Sequence, residues 1–128
     1  MLKKIILLLG LFVVIACSEK PNKDWTDLEV SDGFMRAMLT GQDSDALNYI
    51  EHADKMGAIE KSIIKSQITE GYRLYKKMFG KDIQFKVINE NKTGYRVERT
   101  YLIYKGNIEI NYVSLEIVSS PDGWRIKM

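Results

Sequence analysis

The feature that most constrains the fold of this chain is a change of hydrophobic period near residue 80. Before it, apolar residues recur at spacings of three and four, the period of an amphipathic helix, and the longest such run covers 58–79. From Ile83 onward, apolar and polar residues alternate, which is the period of a strand with one buried face. Helices followed by strands predict an α+β domain, because each element must bury its apolar face against another layer.

Three helices are predicted before this change. The first begins at Leu28 or Ser31 and ends at Leu39, and the second is capped by Asp43 or Ser44. The third covers 58–79 and ends at Gly80, while Gly71 inside it indicates a bend or a close packing contact. The apolar residues assigned to these helices are Phe34, Met35, Met38 and Leu39 in the first, Ala46, Leu47 and Ile50 in the second, and Ile59, Ile63, Ile64, Ile68, Tyr72, Tyr75 and Phe79 in the third.

Four strands follow, at 83–87, 95–103, 108–117 and 124–128, and residues typical of turns separate them at 89–94, 105–107 and 119–123. Connections this short predict an antiparallel meander. In the third strand the apolar positions change from even numbers to odd numbers, which predicts a bulge near Tyr112. A bulge bends a strand and increases its twist, so we expect a curved sheet.

The order of three helices, four strands and a terminal Gly-Trp-Arg-Ile motif resembles the cystatin-like, or nuclear transport factor two-like, domains of small bacterial lipoproteins. The resemblance covers 28–128, and its most telling segments are FMRAMLTGQDSDA at 34–46 and DGWRIKM at 122–128. It implies a cone in which three helices pack on a curved four-stranded antiparallel sheet. In relatives, the pocket between the third helix and the sheet binds a small apolar molecule, catalyses a reaction or is filled by side chains.

The first sixteen residues have the order of a secretory signal. Lys3 and Lys4 are followed by an apolar stretch at 5–16, and a small residue precedes Cys17. Twelve apolar residues are too few to span a bilayer, which requires about 20 in a helix. We therefore expect a signal peptide at 1–16.

The segment Val14, Ile15, Ala16 and Cys17 resembles the lipobox of bacterial lipoproteins. The resemblance implies cleavage after Ala16 by a dedicated peptidase, once the thiol of Cys17 carries a diacylglycerol, and an added N-acyl chain. No other cofactor is expected. Cys17 is the only cysteine, so the exported domain has no internal disulfide.

The acyl chains would hold the protein on a bilayer. Ser18 stands where inner-membrane lipoproteins tend to carry Asp, which favours the outer membrane, facing the periplasm, over the inner one. Residues 17–27 are predicted to form a short lipidated tether before the α+β domain at 28–128. Trp25 is its one large apolar residue, and we prefer packing on the domain core over contact with lipid headgroups.

The composition, 45% hydrophobic and 28% charged, is that of a folded domain. Loss of Lys3 and Lys4 with the signal leaves 17 basic and 17 acidic residues, and no basic run is interleaved with aromatic residues, so nucleic acid is not an expected partner. Residues 17–70 hold eleven acids and six bases, and 71–128 hold six acids and eleven bases. This asymmetry favours two segments that pack with complementary surfaces.

Arg99 lies in the row of the second strand that faces the helices, where a charge must be paired or reach solvent. One hypothesis is that Arg99, with Tyr101, orients an anionic group of a ligand in the pocket, where Tyr72 is a further candidate for ligand binding. The favoured alternative is an arginine that reaches solvent or pairs with Glu60 or Glu70.

His52, the only histidine, is predicted to be a solvated surface residue, and nothing around it has metal-ligand spacing. The chain shows no nucleophile with a base, no phosphate loop and no metal cluster, so an enzyme is not expected. The favoured function is a non-enzymatic module that presents its exposed sheet face, around Arg96 and Glu98, to an envelope protein. The alternative is a carrier that holds a small amphipathic ligand between the third helix and the sheet.

Overall fold

The structure is a computed structural model that describes residues 21–128. The predictions for Val14, Ile15, Ala16 and Cys17 and for the first part of the tether lie outside the described residues. The elements confirm the predicted α+β order. Four antiparallel strands form one curved sheet in the order β1-β2-β3-β4. The bounds are α1 Asp27–Leu39, α2 Asp43–Leu47, a 3₁₀ helix Ala53–Lys55, α3 Ala58–Phe79, β1 Gln84–Lys92, β2 Arg96–Lys105, β3 Ile108–Ser120 and β4 Gly123–Lys127.

Helix α1 carries the centre of the core and begins one residue before the predicted start. Thr26 caps it: the Glu29 amide donates to Thr26 Oγ1 at 3.1 Å, and the Thr26 amide donates to Glu29 Oε1 at 2.9 Å. This reciprocal box satisfies two backbone donors that a helix start would otherwise leave unpaired. The buried face of α1 consists of Val30, Ser31, Gly33, Phe34, Met35 and Ala37.

The N-terminal cap of α2 differs from the prediction. Gln42 occupies the cap position, and Asp43 is the first helical residue. Its carboxylate accepts a hydrogen bond from Thr69 Oγ1 of α3 at 3.0 Å, so the side chain joins two helices instead of capping one.

Helix α2 is also shorter than predicted, because Ile50 lies beyond it in a bridge to Ile126. The Ile126 amide donates to the Tyr49 carbonyl at 2.7 Å, and the Glu51 amide donates to the Ile126 carbonyl at 2.8 Å. The segment therefore covers the outer edge of β4, which would otherwise expose unpaired backbone groups.

The bounds and the C-cap of α3 confirm the prediction. Gly80 has a φ of +75°, and its amide donates to the Lys76 carbonyl at 2.9 Å. The predicted apolar stripe is wrong in part, since Ile59 and Ile63 are 78% and 53% exposed. Ile68 is the one buried residue of this 22-residue helix. The helix stands away from the sheet over part of its length, which leaves space between the two layers.

Strand β1 is longer than predicted. Residues 89–92, assigned to a turn, pair with 97–100 of β2, so the turn itself covers 93–95. Tyr95, predicted to begin the buried row of β2, lies in this turn and is 66% exposed. The rest of that row is buried as predicted: Val97, Arg99, Tyr101 and Ile103.

The bulge predicted near Tyr112 is present. Ile103 pairs with Asn111 and Tyr104 pairs with Glu109, so Ile110 is the extra residue of β3. A second bulge at Ile88 of β1 has no counterpart in the prediction. Bulges bend a strand and increase its twist, which accounts for the curvature of the sheet. In the described part of the chain, no helix is both long and apolar enough to cross a membrane.

Candidate functional site

Arg99 lies at the centre of a buried polar network between β2 and the start of α1. Its side chain is 1% exposed, and its guanidinium donates to Asp27 Oδ1 at 2.6 Å, Glu90 Oε1 at 2.8 Å and Ser31 Oγ at 2.9 Å. Burial alone would lower the pKa of Arg99, but the hydrogen bonds to Asp27 and Glu90 outweigh it and raise that pKa. The guanidinium is thus held charged by two carboxylates and a hydroxyl.

The predicted partners of Arg99 were wrong. Glu70 pairs within α3 instead, with Arg73 Nη1 at 2.6 Å, and Glu60 accepts from the Gly57 amide at the start of the same helix. The side-chain partners of Arg99 lie instead in the first two turns of α1 and in β1. The ion pair between Arg99 and Asp27 is a long-range contact between the acidic N-terminal part and the basic C-terminal part.

Tyr101 extends the network. Its hydroxyl donates to Asp32 Oδ1 at 2.5 Å and lies 2.6 Å from Ser31 Oγ. Because the single phenolic proton goes to Asp32, the Ser31 hydroxyl donates to Tyr101 and accepts from Arg99. Burial, followed by the hydrogen bond to Asp32, raises the pKa of Tyr101 above its ordinary 10.0, so the phenol stays neutral.

A second site lies where α3 stands away from the concave face of the sheet. It is a pocket of about 270 Å³ at the position that the sequence predicted, between the third helix and the sheet. Residues from α1, α3, β2 and β3 line it, together with Met128 after β4. They are Phe34, Met38, Leu39, Ile64, Gln67, Ile68, Gly71, Tyr72, Tyr75, Ile103, Val113 and Met128.

Two glycines shape this apolar pocket. Gly41, with a φ of +74°, lies so close to Tyr72 that a Cβ there would be 2.7 Å from the ring, so only glycine lets the ring pack at the rim. A Cβ at Gly71 would meet no atom within 4 Å, which rules out the predicted close packing contact. Gly71 instead keeps the helix side of the pocket open.

The polar groups of the apolar pocket are few. Tyr75 Oη accepts a hydrogen bond from Asn111 Nδ2 at 2.9 Å, one residue beyond the bulge in β3. Tyr72 and Gln67 contribute a phenol and an amide. The side chains of the lining include no carboxylate, imidazole or amine, so they offer apolar contact and hydrogen bonds to uncharged groups.

The three residues predicted to share a ligand site are not brought together. Tyr72 lines the apolar pocket, whereas Arg99 and Tyr101 belong to the polar network and do not line it. Sequence reasoning missed Gln67 and Gly71, because a polar residue or a glycine interrupts the apolar stripe that defines a helix face.

His52 is exposed, as predicted, with Nε2 3.6 Å from Glu51 Oε2. Within residues 21–128, no group of three or more His, Cys, Asp or Glu side chains is placed to hold a metal ion.

No protein-family model matches the chain, and no curated protein sequence is similar to it. Two solved structures are similar in fold. A protein of Campylobacter jejuni named as an NTF2-like transpeptidase has a TM-score of 0.66 at 14% identity, over 81% of this chain and 99% of the other. A protein of Thiobacillus denitrificans named as a calcium/calmodulin-dependent protein kinase type II association domain has a TM-score of 0.54 at 14% identity, over 84% and 90%. The chain therefore has the nuclear transport factor two-like (NTF2-like) fold.

Proposed function

We propose that this protein is a lipid-anchored lipoprotein of the bacterial cell envelope whose NTF2-like domain binds a small apolar or amphipathic molecule. The observation that carries the binding role is the apolar pocket between α3 and the sheet. This reverses the preference drawn from the sequence, in which a protein-interaction module came first and a ligand carrier second.

The lining defines the ligand. A pocket of about 270 Å³ lies just below the usual range of ligand sites, about 300 to 1,000 Å³, so its ligand must be small. Apolar side chains dominate, and the phenols of Tyr72 and Tyr75 and the amide of Gln67 supply hydrogen bonds. The ligand is thus a small, uncharged molecule with an apolar body and one or two polar groups.

The proposed role is non-enzymatic. The structural neighbour named as a transpeptidase is 14% identical, which supports a common fold and carries no catalytic residue to this chain. Acyl transfer through a covalent intermediate needs an activated nucleophile beside a base. The apolar pocket presents phenols and an amide, and these groups do not form such a pair.

The anchor is proposed from the sequence. The lipobox-like Val14, Ile15 and Ala16 would direct cleavage, and Cys17 would carry the diacylglycerol and N-acyl chains. Each buried CH₂ contributes about 0.8 kcal/mol, and two or more chains hold a protein stably. With Ser18 after the cysteine, the protein is placed at the outer membrane, facing the periplasm, with the bilayer as its lasting partner.

The binding role is tested by native mass spectrometry of the full chain purified from its own membranes. We expect an adduct on the wild type that is lost on Gly71→Leu, because the added side chain enters the apolar pocket. Ser66→Leu, on an exposed position of the same helix, is the matched control and should keep the adduct. A wild-type protein without an adduct, or an adduct that is still present on the Gly71→Leu variant, would refute the binding role.

The anchor is tested separately. Cys17→Ser should block cleavage of the signal and abolish the membrane attachment that depends on the acyl chains. Ser18→Asp should move the protein from the outer to the inner membrane. Cell fractionation and intact mass report both results. Unaltered processing and retention in Cys17→Ser would refute lipidation.

One observation favours a second role, recognition of an envelope protein. Helix α3 exposes an apolar stripe that spans about 100° of its surface at 100° per residue. The stripe consists of Ile59, Ile63, Leu74 and Met78, which are all more than half exposed. Crosslinking in intact cells should yield a partner that Ile63→Glu abolishes and that Asn91→Glu, at an exposed position of β1, retains. Equal recovery from both variants would exclude this surface.

A further inference from the structure

The first turns of α3 carry two lysines with no ion-pair partner in the described part of the chain. Lys61 and Lys65 lie one turn apart on one face, and both are half-buried. No carboxylate between residues 21 and 128 lies within ion-pair distance of either. Like charges at this spacing destabilise a helix, and lysine is rarely withdrawn from water unless it is paired.

A third cation faces the same space. Arg125 of β4 is 5% exposed, and its Nη1 donates to the carbonyls of Trp124 at 2.6 Å and Asn22 at 3.3 Å. Its guanidinium lies 5.4 Å from the centre of the Trp25 ring. Among residues 21–128, no carboxylate lies within ion-pair distance of Arg125. Burial lowers the pKa of Arg125, and the charge of the more distant Asp122 offsets this in part. Arg99, the other buried arginine among the described residues, is by contrast paired with two carboxylates.

These cations line one pocket of about 360 Å³, which we name the basic pocket. The hydroxyl of Ser44 and the amide of Asn48 also line it, and Asp54 is the one acid in its wall. Three cations against one carboxylate leave a net positive charge. A phosphate group suits such a wall, because lysines bind it as point charges and an arginine offers paired donors.

The position of the basic pocket favours one source of phosphate. Pro21 lines it and lies four residues after Cys17, a span of at most about 14 Å in extended chain. Under the anchor proposed above, this pocket is therefore held close to lipid headgroups, and anionic headgroups attract basic residues near a membrane surface. We propose that the basic pocket of Lys61, Lys65 and Arg125 binds the phosphate group of an anionic phospholipid.

The experiment is native mass spectrometry of the full acylated chain in a neutral detergent. The probes are phosphatidylglycerol, diacylglycerol with the same acyl chains and no phosphate, and inorganic phosphate. We expect phosphatidylglycerol to bind, diacylglycerol to bind at least tenfold more weakly, and Lys61→Gln/Lys65→Gln to lose about tenfold or more of the phosphatidylglycerol affinity. The intact mass also reports acylation of Cys17, so a missing anchor and a missing phosphate site are separate results.

Matched variants distinguish binding in the basic pocket from nonspecific electrostatic attraction. Lys77→Gln/Lys81→Gln makes the same charge change at exposed positions, with Lys77 about 18 Å further along the helix axis than Lys65. This control should bind normally, and Lys61→Arg/Lys65→Arg should retain binding because the charge is kept. Equal loss in both Gln pairs, or equal binding of diacylglycerol, would overturn the proposal. Inorganic phosphate binding as tightly as the lipid would assign the site to a soluble anion and overturn the lipid assignment.

Discussion

Replacement of Gly71 by Ala is expected to stabilise the protein by about 1 kcal/mol. Glycine inside a helix is about 0.8–1.0 kcal/mol less favourable than alanine. Gly71 lies in the interior of α3, its φ is not positive, and an added Cβ would meet no atom within 4 Å. The gain is therefore the helix propensity alone, without a clash and without new packing. For a domain of this size it corresponds to a rise in Tm of about 4 °C.

Gly71→Leu extends the test from stability to function. Leucine is a good helix former, so its helix propensity also stabilises α3 relative to glycine. Its larger side chain, however, fills the helix side of the apolar pocket. We expect a protein that is at least as stable as the wild type and that has lost its ligand. Such a separation would show that Gly71 is retained for the cavity at a cost in stability.

The assay is thermal unfolding followed by circular dichroism at 222 nm, together with native mass spectra of the same samples. Two results would refute the reasoning. A Gly71→Ala variant with unchanged or lower Tm would mean that position 71 is not an open position in a regular helix. A more stable Gly71→Leu variant that keeps its adduct would place the ligand outside the apolar pocket.

Three further substitutions test the polar network and the core. Arg99→Met should lower the free energy of unfolding in urea by about 3 kcal/mol, because two carboxylates lose a buried partner, and a loss below about 1 kcal/mol would contradict that role. Tyr101→Phe should lower the free energy of unfolding more at pH 7 than at pH 11. Because the pKa of Tyr101 is raised by folding, the stability that the phenol contributes is complete below pH 10.0 and falls above it, by at most about 1.4 kcal/mol per pH unit. A difference in stability between variant and wild type that does not change with pH would contradict the network. Gly33→Ala should lower stability by about 1–3 kcal/mol, because its Cβ would lie 2.4 Å from the Tyr49 ring, and an unchanged Tm would contradict this contact.

The parts of the fold that periodicity determines were predicted well. Helix α3 has the predicted bounds, the strands form the predicted meander, and the change of parity in β3 located its bulge to within two residues. These signals are strong because a buried face repeats over many residues. The assignment of Ile59 and Ile63 to the stripe of Ile68 was wrong. At 100° per residue they lie about 180° and 140° around the helix from Ile68, so they face solvent while Ile68 is buried.

The partners of Arg99 were missed for a related reason. Asp27 was assigned to the tether and Glu90 to a turn, because single polar residues at the ends of elements carry no periodic signal. Once α1 begins at Asp27 and β1 continues through Glu90, both carboxylates reach the buried guanidinium. Two small errors in element bounds thus hid the best-connected polar group of the domain.

The packing of α3 leads to a last prediction about its dynamics. Six of the 13 residues of α1 are buried, whereas Ile68 is the one buried residue among the 22 of α3. Helices in proteins owe most of their stability to tertiary packing, so α3 should open more often than α1. We expect faster amide hydrogen exchange along α3 than along α1 by mass spectrometry, and slower exchange of its middle turns when the apolar pocket is filled. If α3 and α1 exchanged equally slowly in the protein without ligand, the pocket would not loosen α3. The ligand would then have no effect on the order of this helix.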